Sequence, residues 1–286
     1  MESIAQTLFY LAFAGQILLL SWLLPRGIVQ RMRAVMSQYP PEDYPRLYPS
    51  SPEIYVAVRW IYGVANHAIL GLGVVLLVLL VFVVDHATFA DDGYISEAWP
   101  AAYAFLQYLP LMALSALEFR QFGRMRALAP QTRRSASLER RTVFDFLSPN
   151  AVVIALCLAA AAFVMMLAVD ELDGAIWFLV GTGFMAAMGY WHLYGRKPNP
   201  HQSAEDRRQE QDVALHSALY VSIVLSLFYM YIGADQLFDL DWLDALVMSL
   251  YFQLIGLLSV WLMLHRLRIE DVDFSVYRDG PEASAS

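Results

Sequence analysis

Seven apolar runs limit what this chain can become. They cover about 7–25, 55–84, 100–118, 150–169, 174–194, 214–234 and 243–265. A helix needs about 20 apolar residues to cross a hydrocarbon core, and each run is near or above that length. Lipid offers no partner to a backbone N–H or C=O, so each run is expected to be a helix that pairs its own backbone. Barrel strands would instead be shorter and would alternate in hydropathy. The expected fold class is therefore an all-α integral membrane protein, a bundle of seven transmembrane helices. Residues 1–268 form a single membrane domain, and 269–286 form a tail that is flexible at its end. The opening MESIAQTLFY lacks the basic start of a signal peptide, so the first run is expected to be a retained helix.

Charge assigns the two sides. The connections 26–54, 119–149 and 195–213 and the tail, with Arg59 at a helix end, hold all 19 Lys and Arg residues. The alternate connections are acidic, with Asp85, Asp91, Asp92, Glu97, Asp170, Glu171, Asp173, Asp235, Asp239, Asp241 and Asp244. Basic loops stay in the cytoplasm, which puts the N-terminus outside and the C-terminus inside. The net charge of −8 thus conceals a basic inner face able to meet anionic headgroups. The strong preference for Arg over Lys suggests a GC-rich genome, and with it a bacterial inner membrane.

The inner connections are expected to carry short amphipathic helices. In RGIVQRMRAVMSQ, Ile28, Met32, Val35 and Met36 fall on one face, as in a helix lying among headgroups. SASLERRTVFDF, 135–146, is expected to form another. Ser51-Pro52-Glu53, Ser148-Pro149 and Ser203-Ala204-Glu205-Asp206 read as helix starts. Between the first two spans lies YPPEDYPRLYP, 39–49, with three Tyr-Pro pairs. Proline disfavours helix at the residue before it, so this stretch is expected to run extended, as a link between helices.

Polar residues within the spans are the first candidates for chemistry. His67 shares a stripe with Gly63 and Gly71, which would let a neighbouring helix approach. Asn66, His67, His192 and His216 all fall toward the inner leaflet and form the candidate polar pocket. Neutral imidazoles there could hold a metal or haem iron or relay protons. No paired-histidine spacing is present, however, and no cofactor or metal is expected. Gln16, Gln107 and Gln253 lie near mid-depth and are expected to hydrogen-bond between helices. At the inner surface the candidates are Arg59, Glu118, Arg120, Arg140, Arg141, Asp145, Arg196, His201 and Asp206, with the arginines suited to phosphate or headgroup contacts.

No nucleophile elbow or phosphate-cradling glycine loop is present, and Cys157 is the single cysteine. The first functional reading is a non-catalytic scaffold, assembly or sensory component acting through its Arg-rich inner face. An enzyme or metal or haem protein using the inner-leaflet histidines is one alternative. A carrier or binder of a lipid-like molecule is the other. The expected partners are membrane lipids and another membrane protein, with no nucleic acid.

Overall fold

A computed structural model describes residues 2–83, 90–91, 94–128, 142–195, 199 and 201–278. It contains seven helices long and apolar enough to cross a membrane. These are α1 (Ile4–Gln38), α2 (Pro52–Phe82), α3 (Ala98–Leu128), α4 (Pro149–Ala168), α5 (Leu172–Gly195), α6 (Ala204–Phe238) and α7 (Asp241–Arg266). The chain is an integral membrane protein. Large apolar side chains such as Trp60, Phe82, Phe105 and Trp177 point away from the bundle, as they should when the solvent is lipid.

The helices form two groups. One comprises α1, α2, α3 and α7, with α1 the most enclosed. In the other, α4 and α5 pack on α6. The groups meet along α6 and α7. Phe9, Phe13, Ile17, Ile69, Tyr103 and Ala245 form one apolar layer of the first group. Leu20, Leu24, Ile28, Tyr62 and Val260 form the next. In the second group Gly233 lets α4 lie close: a Cβ there would sit 2.7 Å from Met165 Cγ.

The amides join the first group through its centre. Gln16 Nε2 donates to Gln107 Oε1 and to Pro100 O, both at 3.1 Å. Gln107 Nε2 returns a bond to Gln16 O at 3.2 Å and reaches Ser21 Oγ at 2.8 Å. The Tyr103 hydroxyl donates to Ile69 O at 2.9 Å and lies 3.2 Å from Ser21 Oγ. Gln253 Nε2 donates to Ala12 O at 3.0 Å. Interhelical bonds of this kind contribute about 0.6 kcal/mol each on average.

Among the described residues, four helices contain a widened, π-type turn: Leu19–Leu23, Leu79–Val83, Trp191–Gly195 and Leu257–Trp261. Such a turn shifts the ladder, so that the Leu24 N–H serves Leu19 O, and opens other carbonyls to side-chain donors. Tyr10 OH donates to Leu80 O at 3.2 Å, and Ser217 Oγ to Leu258 O at 2.5 Å. Gln211 Nε2 serves His192 O at 3.1 Å and Leu193 O at 3.3 Å. The first turn directly precedes Pro25, whose missing N–H would otherwise interrupt the ladder. The helix therefore continues to Gln38.

Several expectations are corrected. The Tyr-Pro stretch is not extended. Asp43 and Tyr44 N–H both bond Pro40 O, at 3.2 and 3.0 Å, and Pro45–Leu47 makes a further short helical turn. Proline's fixed φ suits the second position of a tight turn as well as it suits an extended chain. The stripe of Gly63 and Gly71 meets no neighbouring helix of this chain, since a Cβ on either would have nothing within 4 Å. Of 135–146, the part before Thr142 lies outside the described residues. From Thr142 the chain makes a capped turn, Val143–Asp145, rather than a longer helix. Ser148 and Ser203 cap their helices, accepting from Ala151 N–H at 3.2 Å and Asp206 N–H at 3.0 Å, but the Ser51 side chain does not cap α2. In the connection between α2 and α3, Ala90–Asp91 pairs antiparallel with Tyr94–Ile95, which the sequence reading did not foresee. The end of the tail, 279–286, lies outside the described residues.

Two glycines on α2 give a controlled test of this packing. A Cβ on Gly73 would overlap the Tyr103 hydroxyl, whereas Gly71 faces open space. Gly73→Ala should lower thermal stability in detergent by about 1–3 kcal/mol, as overpacking does, and Gly71→Ala should leave it nearly unchanged. Equal effects at the two positions would contradict the placement of α2 against α3.

Candidate functional site

Asn66 and His67 are adjacent on α2, about 100° apart around the helix. The structure turns Asn66 inward and His67 outward. Asn66 Nδ2 donates to Tyr62 O at 2.8 Å, and Asn66 borders a small space shared with Leu20, Tyr62, Gln107 and Tyr108. His67 is exposed and places its Nδ1–H on Gly63 O, 2.6 Å away on its own helix. His216, on α6, bonds Asp212 O at 2.9 Å and lies 3.3 Å from Asp212 Oδ1. His192 sits at the end of α5. The structure therefore does not bring the four residues together. Among the described residues, no three-residue group of metal-ligating side chains includes any of these histidines.

His192 instead borders a polar cleft with Phe122, Asn199, Gln202, Arg207, Glu210 and Gln211. This cleft opens to solvent and has room for only about 20 Å³ of water-sized space. Gln202 Nε2 donates to Glu210 Oε2 at 3.0 Å along one wall. The cleft exists because α6 starts well before its apolar run. That polar first stretch, EDRRQEQDVA, stands beside the end of α5 and uses Gln211 to satisfy its carbonyls.

The surface candidates separate by role. Arg59 is half-buried, with Nη1 3.5 Å from Met36 Sδ, where α2 meets the end of α1. Glu118 and Arg120 are exposed on α3. Asp145 Oδ2 accepts the Thr142 N–H at 2.6 Å and so serves its own turn. Asp206 is buried and receives the Asp273 N–H at 3.3 Å. The His201 N–H donates to Asn199 Oδ1 at 3.1 Å, and its ring lies 6.2 Å from that of Tyr277. Arg140, Arg141 and Arg196 lie outside the described residues.

Asp206 and His201 belong to a larger assembly that sequence reasoning missed. Residues 267–278 fold back over the end of the bundle and touch two other connections. The Phe274 ring stacks on Tyr39 at 3.8 Å, and the Arg278 guanidinium sits 5.0 Å over the Tyr44 ring. Tyr44 meets Tyr39 edge-on at 5.1 Å, and Tyr48 OH donates to Tyr39 O at 2.7 Å. On the other side, Asn199 Nδ2 donates to Tyr277 OH at 2.9 Å. Burial, with Asp206 and Glu210 nearby, pushes the Tyr277 hydroxyl up to about 12, so it stays a neutral phenol and can accept that bond. Arg31 donates to Leu267 O, and Gln209 Nε2 to Arg266 O at 3.0 Å. Residues 39–49, 199, 201–210 and 267–278 thus form one interlocked collar. Its sequence signal was the aromatic content of the Tyr-Pro stretch and of DFSVY, read together.

No protein family, curated protein or solved structure matches the chain.

The collar has a simple test. Phe274→Ala removes the stacked pair, which contributes about 0.5–1.5 kcal/mol beyond its buried area. The tail should then be cut faster by trypsin at Arg268 and Arg278, while the bundle keeps its thermal midpoint. Unchanged cleavage would show that the stack does not hold the tail.

Proposed function

We propose that this protein is a non-catalytic membrane component, a scaffold, assembly factor or sensor, that works through its collar. In this reading it lies in a bacterial inner membrane with the N-terminus outside, the C-terminus inside and the end of α1 at headgroup level. One observation carries the proposal. Three segments on the Arg-rich side by sequence are joined, the tail touching Tyr39 through Phe274 and Asn199 through Tyr277. Folding two connections and the tail into one surface costs chain entropy that simple topology does not require. An ordered, aromatic and Arg-bearing surface suits a protein partner bordered by anionic headgroups.

The test is purification in native lipid, without detergent exchange, of the wild-type chain and of Tyr39→Ala with Phe274→Ala. The expected result is a membrane protein retained by the wild type in fixed proportion and lost from the double variant, with both chains equally folded. Recovery of both chains alone, or of the same companions from both, would overturn the reading.

A further inference from the structure

We infer that the outer end of the α6–α7 hairpin is a binding site for a single divalent cation, of which calcium is the best fit. Asp235 ends α6, and Asp241 and Asp244 open α7. One carboxylate oxygen from each lies within 4.8 Å of the other two. That is the greatest separation available to two oxygens held about 2.4 Å from one calcium ion. The donors are all oxygen, which suits a hard cation and gives a soft metal nothing to select.

Asp235 points to a ligand independently of the clustering. It is only 8% exposed, and its Oδ1 is fully enclosed with no hydrogen-bond partner. A buried carboxylate oxygen left unpaired is costly, and a coordinated ion is one of the few things that repays it. The surroundings offer no positive side chain to do so. Among the described residues these three carboxylates form no ion pair, and the hairpin turn Asp235–Asp244 contains no Lys or Arg. Glu97, from the connection before α3, adds to the negative field at both Asp235 and Asp244.

The local backbone shapes this turn. Asp239 adopts the left-handed conformation, φ 52°, which ends α6 and swings the chain back toward Asp241. Tyr231 OH donates to Asp244 Oδ1 at 2.7 Å and lies 3.4 Å from Leu240 O. It thereby fixes Asp244 while leaving its second oxygen available. Water can complete the six to eight oxygens calcium prefers. A cation here would tie the start of α7 to the end of α6, across the seam that joins the two helix groups. Three carboxylates, of which Asp235 is buried, Asp244 half-buried and Asp241 exposed, correspond to the weak, sub-millimolar to millimolar class of extracellular calcium sites.

The experiment uses the full chain in nanodiscs, stripped with chelator and titrated with CaCl₂ at constant ionic strength. Calorimetry should find one calcium per chain, and the thermal midpoint should rise with calcium. Asp235→Asn should weaken binding by at least about tenfold and abolish the rise, while its calcium-free midpoint equals or exceeds that of the wild type. Asp173→Asn, in another outer connection, should behave as wild type. If Asp235→Asn does not fold, Asp241→Asn, at an exposed position, provides the same reading. No binding by the wild type at millimolar calcium, or an equal shift in wild type and Asp235→Asn, would overturn the site.

Discussion

Every backbone carbonyl inside a bilayer needs a donor, and the described residues of this bundle contain four helical turns where the regular ladder is disturbed. In three of them a carbonyl takes a side-chain donor from another helix. Tyr10 reaches from α1 to Leu80 O on α2, Ser217 from α6 to Leu258 O on α7, and Gln211 from α6 to the end of α5. The turn in α1 exposes Ser21 to Gln107 and Tyr103 of α3. Each irregularity is therefore also a contact. Without a hydrophobic force between helices in lipid, contacts of this kind and close glycine packing decide which helices adjoin.

This explains the division of labour within the fold. The first group is held by amides and hydroxyls at its centre. The second combines close packing at Gly233, under the Met165 and Met166 side chains, with an apolar cluster of Leu147, Leu193 and Leu215. The seam between them, α6 with α7, has Ser217 bonding Leu258 O along its length, three carboxylates at one end and the Gln209 bond to Arg266 O at the other. Both ends of the hairpin are therefore polar, and both proposed sites border it.

Much of the architecture was legible because hydrocarbon imposes a length on each span and water imposes charge on each connection. The seven runs, the long α6 and the interhelical roles of Gln16, Gln107 and Gln253 follow from that. Rotation was not legible. In a soluble helix the apolar stripe marks the inner face, but a span is apolar all round and loses that marker. His67 was therefore grouped with His192 and His216 by depth alone, and the structure turns it outward on α2. The collar was hidden for a different reason. Tyr39 and Phe274 are more than two hundred positions apart, and no local pattern records that they stack. Asp235 was counted among outer acids as a sign of topology, because burial of one carboxylate among several cannot be read from composition.

The central claim is that the collar is an ordered docking surface on the cytoplasmic side. Its most direct test is a photo-crosslinking amino acid placed at Glu42, an exposed position in the Tyr-Pro stretch, and activated in living cells. The account expects one discrete protein adduct, weakened when Phe274→Ala releases the tail. A chain that yields no protein adduct from this position, or one whose adducts are indifferent to Phe274→Ala, would contradict it.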